Sequence, residues 1–379
     1  MSLRRIASHR LLLPNREWLC NPLLTLDDKG RILSIESVER IDSVAGVEFY
    51  AGVVVPAFVN AHCHLELSHM RGVIPRRCGF AGFARAMGSS RGRFSDEERR
   101  DAMEAAAAKM WADGIAAVGD ISNGEKSFEV KSRSKILFRN WIEFFGLNSL
   151  SDEPLRPLLR HENTLLTPHS IYSVQEAPFR KICSEGEQTL SIHFMESAGE
   201  SDLFSGRGEL AEWYAERGFT CDFLHYGSPA RRIVGSVPAE RSVMLVHNCC
   251  LTEEDIDLIM SHFKAPVWWC LSPRSNDYIS GLKPPIDLMR RKVLNICVGT
   301  DSLASNESLS IIEELKLLQR QMPLAEALHS ATAVGADALG FGDRLGRLEV
   351  GLTPGVVLIE GVDFDTMTLR ADARSRRLV

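Results

Sequence analysis

The sequence predicts a protein of the α/β class: a (β/α)8 TIM barrel with a small flanking β-sandwich built from both chain ends. Two patterns and the chain length support this. Short apolar runs alternate with helical stretches through the middle of the chain, and several of these runs end in a histidine, a glutamate or an aspartate. The 379 residues also suffice for a barrel of about 250 residues plus one further module.

Each end of the chain carries short β patterns, and few helical signals separate the β runs within each end. Residues 1–52 alternate β runs with turn residues such as Asp27 to Gly30, and residues 345–379 contain two more β runs. We expect these two ends to pair as one composite β-sandwich. Residues 53–344 then form the barrel.

Eight apolar runs in the middle of the chain are predicted strands. The first ends at His62 and His64, and the others cover residues 115–120, 136–146, 164–169, 190–196, 243–248, 265–272 and 294–302. A capping box that begins at Ser95 and an N-cap at Thr252 mark two of the helices between them. Residues 67–93 have the composition of a long loop. Alternating strands and helices favour a parallel sheet, and eight strands are the number in a barrel.

Polar side chains at the ends of three strands predict a metal site. His62 and His64 are two residues apart on a strand, so they project from one face. His193 and Asp301 each end a later strand. The carboxyl ends of barrel strands meet at one face, where such enzymes build their active sites. Three imidazoles and a carboxylate suit one divalent ion, Zn²⁺ or Fe²⁺, with room for a water.

Two more residues can handle protons beside such an ion. A bound divalent metal lowers the pKa of its water from about 16 towards about 7. Glu196 follows His193 by three residues, and it can take that proton and deliver it to a ring nitrogen of a substrate. His247 ends the next strand and can orient the hydroxide or stabilise developing charge.

The composition indicates a cytoplasmic protein that acts on a small molecule. A net charge of −6 provides no basic footprint for nucleic acid. No run reaches the roughly 18 apolar residues of a membrane span, and the first residues lack the core of a signal peptide. Nine cysteines without paired spacing suit a reducing compartment. The sequence is compatible with a homo-oligomer.

Five short segments resemble the amidohydrolase superfamily, in its branch of cytosine-, guanine- and adenosine-type deaminases. They are HCHLE (62–66), TPHSIYS (167–173), HFMES (193–197), VHN (246–248) and GTDSLASN (299–306), and the resemblance extends over nearly the whole chain. It implies a metal-dependent deaminase. It also implies four metal ligands, namely His62, His64, His193 and Asp301. Glu196 would be the proton shuttle, His247 would orient substrate and water, and Asp301 would also accept a proton.

The same resemblance implies one metal ion per chain, with zinc as the first choice and iron as the alternative. Members with two ions carry a carboxylated lysine at the end of the fourth strand. Here that strand ends in Thr167, Pro168, His169 and Ser170, without a lysine. His169 would then line the substrate pocket or support the metal through another side chain.

The Leu65-to-Ser68 segment, LELS, resembles the aminodeoxyfutalosine deaminases. This implies an adenine-containing nucleoside as the substrate, with Glu66 accepting hydrogen bonds from its sugar. Arg71 or Arg274 can pair with an anionic part of the substrate.

Two other functions compete with the deaminase. The same metal and hydroxide would support hydrolysis of a cyclic amide or removal of chlorine from a triazine. The third alternative is a non-catalytic scaffold that retains the barrel. The presence of all expected ligands and both proton-handling residues argues against the scaffold.

Overall fold

The computed structural model describes residues 3–90, 92–292 and 294–379. In this part of the chain there are fifteen strands: β1 (Arg4–Leu12), β2 (Trp18–Cys20), β3 (Pro22–Leu26), β4 (Ile32–Ser37), β5 (Val47–Pro56), β6 (Phe58–Cys63), β7 (Ile115–Ser122), β8 (Leu137–Phe144), β9 (Thr164–Pro168), β10 (Leu190–Phe194), β11 (Val243–His247), β12 (Val267–Leu271), β13 (Asn295–Val298), β14 (Val356–Asp363) and β15 (Thr368–Arg377).

Helices connect most of the central strands. The α-helices are α1 (Gly79–Ser90), α2 (Asp96–Ala112), α3 (Phe128–Arg133), α4 (Glu176–Ser184), α5 (Ala198–Phe204), α6 (Gly208–Glu216), α7 (Pro229–Ser236), α8 (Glu253–His262), α9 (Pro273–Ile279), α10 (Ile286–Arg291), α11 (Ile311–Leu318), α12 (Leu324–His329) and α13 (Gly335–Ala338). Short 3-10 helices cover Ile41–Ser43, Leu65–Met70, Arg156–Arg160 and Leu224–Tyr226, and a π-helix covers Ser330–Val334. Ser95 and Thr252 cap α2 and α8 through capping boxes, as the sequence predicts.

The central strands form two parallel sheets of four strands each. Their orders, β6-β7-β8-β9 and β10-β11-β12-β13, follow the chain. Single parallel bridges join the two sheets at both edges, between Ser170 and His193 and between Cys63 and Asp301. Each of the eight runs predicted as a central strand therefore forms one, and their carboxyl ends lie on the same side.

The two ends of the chain meet in a third, seven-stranded sheet. Its order is β15-β14-β5-β1-β3-β4, with β2 paired to β1. β1 and β5 pair in parallel, and the other pairs are antiparallel. Apolar side chains from both chain ends pack together on this sheet, including Ile6, Leu24, Val54 and Leu358. Strands from the two chain ends thus pair within one sheet, and the composite β-sandwich stays a prediction.

The segment 67–93 contains helix α1, so its prediction as a long loop is wrong for this stretch. Phe83 and Met87 are one helical turn apart and pack with Met70 and Ile74 in a small apolar cluster. The glycines at both ends of α1 and the arginines around it mask this short apolar stripe in the sequence. None of the helices in the described part of the chain combines the length and apolar character needed to cross a bilayer.

Candidate active site

Four side chains converge where the ends of β6, β10 and β13 meet. His62 is fully buried, and His64, His193 and Asp301 are at most 9% exposed. The Nε2 atoms of His64 and His193 are 3.3 Å apart. Oδ1 of Asp301 lies 3.8 Å from Nε2 of His62 and 3.4 Å from Nε2 of His64. The structure thus brings together the four residues that the sequence predicts as metal ligands.

Backbone contacts between β6 and the end of β13 set this geometry. The amides of Thr300 and Asp301 both donate to the carbonyl oxygen of His62, at 3.0 Å. The side chains of Asn60 and Thr300 are joined by a 2.7 Å hydrogen bond. A Cβ atom at Gly299 would lie 2.7 Å from both Cβ and the carbonyl oxygen of His62. Glycine is required here because the two strands approach so closely.

The backbone beyond the strands is bent to aim these side chains. Met195, His247, Asn248 and Asp301 have φ values of 50°, 83°, 59° and 56°. Residues other than glycine adopt such values rarely, and each costs on the order of 1–3 kcal/mol. Such strain at the ends of three strands of one sheet is typical of a functional site.

The chemistry of the cluster fits a divalent cation. Both ring nitrogens of His62 are buried without a hydrogen-bond partner among the described residues, which is costly unless another group satisfies one of them. Burial lowers the pKa values of His62 and His64, so both imidazoles are held in the neutral form that binds metal. Burial opposes ionisation of Asp301, but the electrostatic interactions with His64 and His247 and the hydrogen bond from Ser275 outweigh it and lower the pKa of Asp301.

Neighbouring groups orient the candidate ligands. Nδ1 of His193 lies 3.0 Å from the carbonyl oxygen of His169, which can only accept a hydrogen bond. The proton of His193 is therefore on Nδ1, and Nε2 presents its lone pair to the cluster. Oδ2 of Asp301 accepts hydrogen bonds from the hydroxyls of Ser275, at 2.5 Å, and Ser305, at 2.8 Å, which leaves Oδ1 facing the histidines.

Glu196 and His247 lie beside this cluster. Oε1 of Glu196 is 3.9 Å from Nε2 of His247, and both side chains are buried. Burial, together with the nearby charge of Asp301, raises the pKa of Glu196 to about 7. A carboxyl group with such a pKa can both accept and release a proton at neutral pH. Nδ1 of His247 is 2.9 Å from Oδ1 of Asn276, which fixes the ring with Nε2 towards Glu196.

Two of the predicted substrate-binding residues lie close to the cluster. His169 stacks on His193 with ring centroids 4.7 Å apart, and its Nδ1 lies 2.7 Å from the hydroxyl of Ser173. Glu66 lies on the 3-10 helix after β6. Its carboxylate accepts hydrogen bonds from the amide of Asn123, at 3.0 Å, and from the hydroxyl of Ser127, at 3.1 Å. Their predicted contact with substrate stays a prediction.

The other two, Arg71 and Arg274, lie elsewhere. Both line an outer cavity of about 640 Å³ between α2 and α11, and none of the clustered histidines lines it. Arg71 is exposed. Arg274 is engaged by Glu307, at 2.9 Å, and Glu313, at 3.5 Å. The structure does not bring these two arginines to the cluster.

Sequence reasoning missed several residues that shape the site. They are Asn123, Glu143, Glu200, Ser275, Asn276 and Ser305. One of them had a detectable signal, because Glu143 is the carboxylate at the carboxyl end of a predicted strand, as Asp301 is. The serines and asparagines had no such signal, because their role depends on which functional side chain they contact in the folded protein.

Several known proteins resemble this chain along most of its length. An adenosine deaminase of Helicobacter pylori is 28% identical over 357 residues, covering 86% of this chain and 86% of its own length. An aminodeoxyfutalosine deaminase of Nitratiruptor sp. is 26% identical over 379 residues, covering 90% and 89%. The crystal structure of Helicobacter pylori aminofutalosine deaminase in complex with methylthio-coformycin matches with a TM-score of 0.77 at 26% identity, covering 94% of this chain and 92% of that one.

The sequence model of the family described as "Amidohydrolase family" matches residues 53–374. This range contains all eight central strands and every residue of the cluster described above. The resemblance noted in the sequence is thereby confirmed: the chain belongs to the amidohydrolase family.

Proposed function

We propose that the protein is a zinc-dependent hydrolytic deaminase of an adenine-containing nucleoside. His62, His64, His193 and Asp301 would hold one ion. The observation that carries this proposal is the position of Glu196, a buried carboxyl group beside both His247 and the ligand cluster, with a pKa of about 7. A metal-binding scaffold without catalysis has no need for such a group.

The residues divide the reaction between them. When bound, the ion supplies hydroxide at neutral pH by lowering the pKa of a water. Glu196 takes the proton of this water at its carboxylate and delivers it to a ring nitrogen of the base. Nε2 of His247 orients the attacking oxygen, and Oδ1 of Asp301 accepts its remaining proton. Asp301 then passes this proton to the amino group, the bond between that nitrogen and the ring carbon breaks, and ammonia leaves.

The nucleoside assignment rests on two grounds. The relatives reported above are named adenosine deaminase and aminodeoxyfutalosine deaminase. In addition, Glu66 lies just beyond the metal-binding strand, where its carboxylate would accept hydrogen bonds from sugar hydroxyls. Hydrolysis of a cyclic amide or a chlorotriazine remains the competing reaction for the same residues.

We also propose the larger architecture. The bridges at Ser170–His193 and Cys63–Asp301 support closure of the eight central strands into one (β/α)8 barrel, formed by residues 53–344. Residues 1–52 and 345–379 would form the flanking β-sandwich as a second unit. Residues 1 and 2 lie outside the described part of the chain. A cytoplasmic location, as predicted from the composition, completes the proposal.

Ammonia release from a panel of compounds tests the function. The panel contains adenine, adenosine, other purine and pyrimidine bases and nucleosides, a cyclic amide and a chlorotriazine. We expect ammonia from an adenine nucleoside, at a higher kcat/KM than from free adenine. Chloride release from the triazine without ammonia from any nucleoside would favour the competing hydrolase. Inactivity of the metal-loaded protein on every compound would favour the scaffold.

A further inference from the structure

Glu143 has a buried carboxylate oxygen that the described protein does not satisfy. The residue lies at the carboxyl end of β8, and its side chain is 5% exposed. Oε2 accepts a 2.9 Å hydrogen bond from Nδ2 of Asn123, whereas Oε1 is buried without a hydrogen-bond partner. Leaving such an acceptor unpaired costs free energy, so a donor from outside the chain would be bound favourably.

The neighbouring histidines do not supply this donor. Oε1 of Glu143 is 3.6 Å from Nδ1 of His193 and 4.0 Å from Nε2 of His169. Both distances exceed that of a hydrogen bond. The three residues also have the composition of a second metal site. Yet the proton on Nδ1 of His193 is donated to the carbonyl oxygen of His169, so this nitrogen has no lone pair for an ion.

Asn123 connects Glu143 to Glu66. Its backbone amide donates to Oε2 of Glu66 at 3.0 Å, while its side-chain amide donates to Oε2 of Glu143. One residue at the end of β7 thus fixes two carboxylates that come from the ends of β6 and β8. Asn123 is exposed. Glu66 is partly exposed and Glu143 is buried beside His193, so the two carboxylates lead from the surface inward towards the cluster.

We infer that Glu143 and Glu66 form a two-carboxylate subsite that binds a neutral vicinal diol, as in ribose, with Oε1 of Glu143 accepting a hydrogen bond from one hydroxyl. Two carboxyl groups offer no positively charged partner to a phosphate or a carboxylate, whereas their oxygen acceptors match two hydroxyl donors. This inference rests on the proposed function as a nucleoside deaminase. It identifies Glu143 as a further residue that selects the substrate.

The variant Glu143→Gln tests this contact sharply. Asn123 donates to the Oε2 position, so the glutamine must turn its carbonyl oxygen towards Asn123. Its NH2 group then takes the place of Oε1, and an acceptor becomes a donor with little change in shape. The matched control is Glu162→Gln, an exposed carboxylate in the turn before β9.

The experiment measures kcat/KM for adenosine, 2′-deoxyadenosine, 3′-deoxyadenosine and adenine, and the metal content of each protein. In the wild type, removal of one hydroxyl should lower kcat/KM by about 10- to 100-fold. In Glu143→Gln the penalty for that hydroxyl should largely disappear, because the two changes remove the same contact. The loss of kcat/KM in Glu143→Gln should be larger for adenosine than for adenine, its metal content should match the wild type, and Glu162→Gln should retain the full penalty.

Three results would overturn the inference. An unchanged hydroxyl penalty in Glu143→Gln would show that Glu143 does not contact the sugar. An equal loss for adenosine and adenine would make Glu143 a residue that positions His193. A fall in bound metal would make it a ligand. These outcomes leave the deaminase intact, whereas a wild-type protein that deaminates no nucleoside would overturn the proposed function as well.

Discussion

Glu196 and Glu200 are four residues apart, and the structure uses the two carboxylates differently. Oε2 of Glu200 accepts the amide of Met195, and Oε1 accepts the amide of Glu196, at 2.8 Å and 2.7 Å. These bonds hold the strained turn after β10, where Met195 has a φ of 50°. Because Glu200 satisfies the backbone, the side chain of Glu196 is left to face His247. Glu200 is thus a positioning residue and Glu196 the reactive group.

Glu196→Gln should lower kcat at least 10²- to 10⁴-fold while the protein keeps its metal, since glutamine preserves shape but cannot carry a proton. Elemental analysis and steady-state kinetics on the same sample measure both quantities. Glu216→Gln, an exposed carboxylate at the end of α6, should behave as the wild type. Full activity in Glu196→Gln would contradict the assigned role, and loss of metal would make Glu196 a ligand.

The fully loaded protein should contain about one divalent ion per chain. The proton on Nδ1 of His193 blocks a second ion between Glu143, His169 and His193, and no lysine follows β9 to bridge two ions. Elemental analysis after dialysis against excess zinc measures the ratio. Two ions per chain, both lost in His193→Ala, would contradict a single-metal site.

At the scale of single elements, the site depends on how closely β6 and β13 approach each other. Gly299→Ala should destabilise the protein by about 1–3 kcal/mol and weaken metal binding, because the added methyl overlaps His62. Thermal unfolding and zinc titration measure the two effects. Gly88→Ala in α1, where nothing lies within 4 Å of the added atom, should preserve both. Normal metal affinity in Gly299→Ala would show that the close approach is dispensable.

The sequence predicted the central strands well because a buried parallel strand has a local signature. Each such strand is a short apolar run, and each predicted ligand lies in the last residues of one or within three residues after it. The helix α1 was missed because two phenylalanines one turn apart are a weak signal among glycines. The contacts of Asn276 and Ser275 were also inaccessible. They join residues 29 and 26 positions apart, and neither residue type marks the connection.

At the scale of the whole molecule, the sheet built from both chain ends places β5 directly before β6. Val53 to Pro56 of β5 pair with β14, near the carboxyl end of the chain, and β6 begins two residues later. The pairing of the ends was predicted, but the parallel register of β1 with β5 was not. Pairing between distant strands is set by the packed core, which short β runs do not encode individually.

The folded, metal-free protein should lose stability as the pH falls below about 6.5. Burial lowers the pKa values of His62, His64, His169 and His247, although the charge of Asp301 opposes this at each of them except His62. The unfolded chain binds protons at these residues near pH 6.5, whereas the native state does not. Acid therefore favours unfolding, by up to about 1.4 kcal/mol per pH unit for each histidine.

Urea unfolding of the EDTA-treated protein between about pH 7 and about pH 5 measures this slope. His62→Asn should reduce the slope of the unfolding free energy against pH by the contribution of one histidine. His225→Gln, which changes an exposed ring, should leave the slope unchanged. With zinc bound, the native state should be more stable over the whole range, because the ion binds the neutral imidazoles and the unfolded chain lacks the site. A flat profile in the metal-free protein would mean that the histidines take up protons in the folded state, and that the cluster opens to water without its ion.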